Sequence, residues 1–144
     1  MNETFLAKAE VIVNASRAEV WEALTKPELI KQYLFGTTVT TDWTIGGPVT
    51  YTGEWQGKQY QDKGTIEEFV PNEHMVTTYW SSMSSVPDAP ENYNTITTEL
   101  TDADGGTKVT IIQDSNATQE KADHSTQNWT MVLGKMKEML EKKV

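Results

Sequence analysis

The sequence contains no cysteine, and Arg17 is its only arginine. Without cysteine the chain can form no disulfide, no thiolate metal site and no thiolate nucleophile. The formal net charge is −9, whereas a nucleic-acid-binding surface needs clustered Lys and Arg to contact phosphates. We therefore expect no nucleic-acid partner. The lack of cysteine suits a cytoplasmic location.

Long hydrophobic runs are also missing from the sequence. The longest aliphatic run covers residues 11–13, which is far too short to cross a bilayer. The first eight residues lack the basic stretch and apolar run of a secretion signal. We therefore expect neither membrane insertion nor secretion by a standard signal. The sequence also lacks a metal-ligand pattern and a phosphate-binding loop, so we expect no cofactor.

The strongest pattern that is present lies in residues 119–144. Its apolar side chains recur at steps of three and four, which is the stripe of one helix face. They are Trp129, Val132, Leu133, Met136 and Leu140. The pattern predicts one long helix, and about 24 residues would extend for roughly 36 Å. A helix of this length needs a broad apolar partner.

The rest of the chain predicts that partner. Residues 5–13 alternate as a strand. Ser16 and Glu19 have the spacing of a capping box, so a helix should begin there and end near Thr25, and Pro27 should open a second short helix over 28–33. Six further strands are predicted after these helices, at 37–43, 48–55, 58–69, 74–80, 93–100 and 107–114.

This order of elements predicts an α+β helix-grip fold. In it a seven-stranded curved antiparallel sheet wraps around a long C-terminal helix, and two short helices lie between the first and second strands.

Few residues are candidates for catalysis. His74 follows a turn and is expected in solvent, and His124 lies beside Asp123 and Ser125 in a helix, where neighbouring side chains diverge by about 100°. Glu67 and Glu68 are adjacent in a strand and should face opposite sides of the sheet. We predict no catalytic constellation and no metal site.

Several runs resemble the chaperone-ATPase-activator-like branch of the SRPBCC (START/Bet v 1-like) superfamily. They are residues 13–25 (VNASRAEVWEALT), 33–36 (YLFG), 41–48 (TDWTIGGP), 53–55 (GEW), 62–71 (DKGTIEEFVP), 78–80 (TYW) and 128–133 (NWTMVL). The resemblance implies that residues 1–144 form a single domain with a hydrophobic cavity under the C-terminal helix. Relatives in the superfamily include lipid and hormone carriers, polyketide cyclases, antibiotic-sequestering proteins and the chaperone-binding domain.

A set of apolar and aromatic residues falls on the elements that would line such a cavity, although these side chains could equally fill a solid core. The candidates are Phe35, Trp43, Tyr51, Trp55, Ile66, Tyr79, Met83, Trp129, Leu133 and Met136. No basic residue is placed among them, so a ligand should be neutral or cationic.

The first functional hypothesis is therefore binding of a small hydrophobic or aromatic molecule, for transport, sequestration or sensing. The alternatives are a module that contacts a chaperone and an enzyme resembling a polyketide cyclase or hydrolase. We expect a monomer or a weak homodimer.

Overall fold

The computed structural model describes residues 5–34, 36–81, 87–89, 92–116 and 118–141, and within these ranges it leaves out the side chains of Phe5, Trp55, Ser115 and Asn116. The elements are β1 (Phe5–Val13), α1 (Arg17–Thr25), α2 (Pro27–Tyr33), β2 (Thr38–Thr40), β3 (Pro48–Trp55), β4 (Lys58–Val70), β5 (His74–Tyr79), β6 (Asn94–Ala103), β7 (Gly106–Asn116) and α3 (Gln119–Glu141).

The seven strands form one curved antiparallel sheet in the order β1-β7-β6-β5-β4-β3-β2. Strands β2 to β7 follow one another as a meander, and β1 joins the free edge of β7. Helix α3 packs against β1 and β7 on the concave face. The predicted α+β helix-grip architecture is confirmed.

The start of α1 follows the predicted capping box. The Ser16 hydroxyl accepts a hydrogen bond from the Glu19 amide at 3.2 Å, and the Glu19 carboxylate accepts one from the Ser16 amide at 3.4 Å. Both bonds satisfy amides that have no partner within the helix. Pro27 then occupies the first turn of α2, which begins one residue earlier than predicted.

Strand β2 is shorter than the predicted strand 37–43. The backbone of Trp43 has a φ of 59°, in the left-handed region that does not fit a strand. Its amide bonds to the Thr41 hydroxyl at 3.1 Å, and the Thr44 amide bonds to the Asp42 carboxylate at 3.0 Å. These local bonds replace the strand ladder, so the chain turns towards the helices.

The predicted placement of Glu67 and Glu68 on opposite faces is wrong. A β-bulge lies between Ile66 and Glu68, where two steps along β4 oppose one step along β5. The inserted residue shifts the alternation, so both glutamates are exposed while Ile66 remains fully buried.

The core lies between the concave face and the helices. Its contribution from α3 is the predicted apolar stripe, with Val132, Leu133, Met136 and Leu140 buried and Trp129 partly buried. These residues pack against inward-facing residues of β1 and β7 such as Ala9, Val109 and Ile111. Where the structure describes the helices, none has the length and apolar character needed to cross a membrane.

Candidate ligand cavity

An apolar cavity lies between the concave face of the sheet, the α1–α2 pair and α3. Its wall is formed by Leu24, Ile30, Tyr33, Leu34, Val39, Trp43, Tyr51, Met75, Thr77, Ile96, Thr98, Ile111, Trp129, Val132 and Leu133. The cavity volume is about 90 Å³, and the space reaches about 650 Å³ when the part open to solvent is included. An engineered protein cavity of about 150 Å³ binds benzene. The enclosed space in this protein is smaller, so even a benzene-sized molecule has to displace wall side chains or extend into the open part.

The structure places the ten predicted ligand-binding residues in three groups. Trp43, Tyr51, Trp129 and Leu133 line the cavity. Three others lie away from its wall: Ile66 and Met136 are fully buried in the core, and Tyr79 stands beside Tyr51 with its ring centre 5.7 Å away. Phe35, Met83 and the side chain of Trp55 lie outside the described part of the structure.

Sequence reasoning did not assign most of the wall to a cavity. Leu24, Ile30, Tyr33 and Leu34 come from the helix pair and its end, where the apolar spacing indicates only that they face inward. The pattern could not show that they face an open space. The sequence did not indicate that Thr77 and Thr98 belong to the wall, because threonine is common on both faces of β-strands. The available signal was alternation, which places Thr77 on the same side of β5 as Met75 and Tyr79.

Two tryptophans form rigid parts of the wall. The Trp43 indole N–H donates to the Thr25 carbonyl at 3.1 Å, and its ring stacks on Phe69 with centres 5.5 Å apart. The Trp129 indole N–H donates to the Gln113 side-chain oxygen at 2.8 Å. Because both indole N–H groups are bonded within the protein, these side chains present apolar ring surface to the cavity.

Tyr33 is anchored in the same way. Its hydroxyl donates to the Ala23 carbonyl at 2.8 Å, which fastens α2 to α1. Burial raises the pKa of this phenol well above its usual value, so it stays neutral.

One end of the concave face is polar. The Tyr79 hydroxyl donates to the Asp62 carboxylate at 2.5 Å, and Asp62 is only 7% exposed. Asp62 also lies directly opposite Tyr51 in the β3–β4 pairing. Burial, assisted by the Asp62 charge, raises the pKa of Tyr51 to about 12, and burial followed by the Asp62 hydrogen bond raises the pKa of Tyr79. Both phenols are therefore protonated at neutral pH.

The wall itself carries hydroxyls and no charges. Among the described residues that line the cavity, none is a carboxylate, an imidazole or a basic side chain. His74, a candidate from the sequence, begins β5, where its Nε2 atom lies 3.1 Å from the Glu68 carboxylate, and His124 is exposed on α3. Neither histidine lines the cavity. Over the described ranges, no group of three or more His, Asp or Glu side chains could hold a metal ion.

A long helix seated on a curved seven-stranded antiparallel sheet, with a helix pair after the first strand, is the helix-grip fold of the SRPBCC superfamily. Within that class, the family model described as "Activator of Hsp90 ATPase homolog 1-like protein" matches residues 14–141. The chain belongs to this family, and the resemblance found in the sequence is confirmed.

Solved structures agree with this assignment. The solution structure of ChR145 from Cytophaga hutchinsonii is 41% identical over 99% of this chain and 98% of its own, with a TM-score of 0.86. The Aha1 dimer from Colwellia psychrerythraea is 17% identical over 95% of this chain and 96% of its own, with a TM-score of 0.73.

DynU16, a protein in the dynemicin biosynthetic locus, is 19% identical over 95% of this chain and 47% of its own, with a TM-score of 0.77. At this level of identity, DynU16 and the Colwellia protein show the fold alone. Among functionally curated proteins, no match to the chain is found.

Proposed function

We propose that the chain binds a small apolar or aromatic molecule in the cavity between the curved sheet and α3, as a carrier, a sequestering protein or a sensor. The observation that carries the proposal is the uncharged cavity wall built from three layers of the fold, which opens to solvent. Concave, mostly apolar spaces with a few placed polar groups are the usual form of small-molecule sites. The whole chain would act as one cytoplasmic domain, as a monomer or a weak homodimer.

The size of the cavity sets the expected affinity. Burying about 200 Å² of apolar ligand surface contributes roughly 5 kcal/mol at about 25 cal/mol per Å². This corresponds to a Kd of about 0.2 mM for a small aromatic probe before ordering costs. In a cavity of about 90 Å³ even a small aromatic ligand must push wall side chains aside, and the free energy of that displacement is subtracted from the gain.

A library of small hydrophobic and aromatic compounds tests this proposal. Thermal shift measurements and native mass spectrometry of the full chain should identify compounds that raise the melting temperature and remain bound as one-to-one complexes. Neutral and cationic compounds should be enriched among them over carboxylates of the same size. If no compound in a broad library binds, ligand binding in this cavity is refuted.

A second proposal, contact with a chaperone, is supported by the name of the matching family. It is tested by measuring the ATPase rate of an Hsp90-type chaperone with and without the chain, together with direct binding. An unchanged rate and no complex would remove this proposal. An enzymatic role has less support, because the described cavity wall contains no carboxylate or imidazole to act as an acid or base.

A further inference from the structure

Two threonines in the cavity wall keep hydroxyls that reach open space and bond to no other described residue. Thr77 on β5 is 7% exposed and Thr98 on β6 is 6% exposed, and both line the cavity. Their side chains form no hydrogen bond to any other residue in the described part of the chain. Because Thr77 pairs with Ile96 in the β5–β6 register, Thr77 and Thr98 are diagonal neighbours on one face.

The other buried polar side chains differ from this pair. The Thr107 hydroxyl, in a residue 1% exposed, donates to the Ala15 carbonyl at 2.9 Å. The hydroxyls of Thr37 and Tyr60 lie 2.5 Å apart. Among the described residues, every fully buried hydroxyl is bonded within the protein, whereas the hydroxyls of Thr77 and Thr98 reach the cavity. A hydroxyl that reaches the cavity can donate to a ligand, whereas valine has nearly the same shape and offers no donor.

Tyr51 adds a third hydroxyl to the same wall. Its phenol makes no hydrogen bond to another described residue, and it stays protonated because burial raises its pKa to about 12. A protonated phenol and two threonine hydroxyls are neutral donors. The neighbouring Asp62 carboxylate makes this end of the sheet unfavourable for an anion.

We propose that Thr77, Thr98 and Tyr51 recognise the carbonyl oxygen of a neutral aromatic ligand. The apolar wall holds the body of such a ligand, and the hydroxyls donate to its one polar atom. This assignment rests on the proposed ligand-binding function and narrows its ligand class to ketone-like or related oxygen acceptors.

The first test needs no ligand. In the unliganded protein, Thr77→Val and Thr98→Val should leave the urea midpoint unchanged or raise it, because each removes a hydroxyl that bonds to no other described residue. Thr107→Val is the matched control and should lower the midpoint, because it leaves the Ala15 carbonyl without its donor. If the cavity variants are destabilised as much as Thr107→Val, their hydroxyls serve the fold and the proposal is overturned.

The second test compares acetophenone with α-methylstyrene, in which a methylene replaces the carbonyl oxygen. Their Kd values are measured by NMR titration for the native protein and for the Thr77→Val/Thr98→Val double variant. Each hydroxyl lost should raise the Kd of acetophenone relative to that of α-methylstyrene by about two- to tenfold. Because each probe is compared with itself in the two proteins, the difference in hydration free energy between the probes cancels.

The possible results distinguish recognition by the hydroxyls from ligand binding in the cavity. If both probes bind in the cavity and the ratio does not change in the double variant, recognition by hydroxyls is refuted while ligand binding stands. If neither probe nor any library compound binds, the proposed function fails and the hydroxyl assignment fails with it. Tyr51→Phe extends the measurement and should weaken acetophenone binding more than α-methylstyrene binding.

Discussion

The backbone of β4 passes very close to that of β5 at Gly64, where a Cβ atom would overlap the carbonyl oxygen of Thr78. We predict that Gly64→Ala lowers the free energy of unfolding by about 2–3 kcal/mol, because two paired strands must move apart. Urea denaturation of the purified variant measures this change.

Gly134 provides the opposite control for the same substitution. A Cβ at this position in α3 meets no atom within 4 Å. Gly134→Ala should therefore raise the free energy of unfolding by about 0.5–1 kcal/mol, since alanine favours a helix over glycine. Equal effects of the two substitutions would show that the close approach at Gly64 is not important for stability.

The raised pKa of the Tyr51 phenol predicts a loss of stability at alkaline pH. Its pKa is raised from 10.0 to about 12 by burial and by the charge of Asp62, so the folded state holds the phenol proton more tightly than the unfolded state does. The resulting stabilisation, about 3 kcal/mol, is complete below pH 10 and is lost as the pH rises towards 12.

The measurement is the free energy of unfolding between pH 8 and about 12. In Tyr51→Phe the decline above pH 10 should become shallower, and part of it should remain because Tyr33 and Tyr79 also have raised pKa values. An identical pH dependence in the variant and the native protein would contradict this account.

At the scale of elements, α3 gives a direct comparison of cavity wall and solid core. Leu133 and Met136 lie three residues apart and are both buried, but only Leu133 lines the cavity. We predict that Leu133→Trp destabilises the protein by about 1–3 kcal/mol and abolishes ligand binding, because the indole occupies the free space. Met136→Trp should cost more, since no free space adjoins it. Chemical denaturation of both variants decides the order, and the reverse order would indicate a filled core at Leu133.

The elements themselves were largely predictable from local patterns. The stripe of α3, the capping box at Ser16 and the alternation of the seven strands predicted their elements to within about three residues. The failures lie where local hydrogen bonds or an inserted residue override alternation. Asp42 and Thr41 end β2 early, and the bulge before Glu68 shifts the face of every later residue in β4.

At the scale of the whole molecule, the cavity was less predictable than the fold. Its wall joins residues that are distant in sequence, such as Leu24 of α1, Thr98 of β6 and Trp129 of α3. Periodicity shows that each faces inward. The space left between them depends on how far the sheet curls and where α3 is seated, and both are set by packing across the entire fold.

The most direct measurement of the central claim is an NMR titration of the full chain with acetophenone, followed through the methyl resonances. Binding in the cavity predicts shifts at Ile96, Val132 and Leu133, which line it. Leu6, Ile12 and Ile45 are 59%, 51% and 62% exposed, and their methyl resonances should not shift. Shifts confined to the cavity residues would support the account, and shifts only at the exposed residues, or none at all, would contradict it.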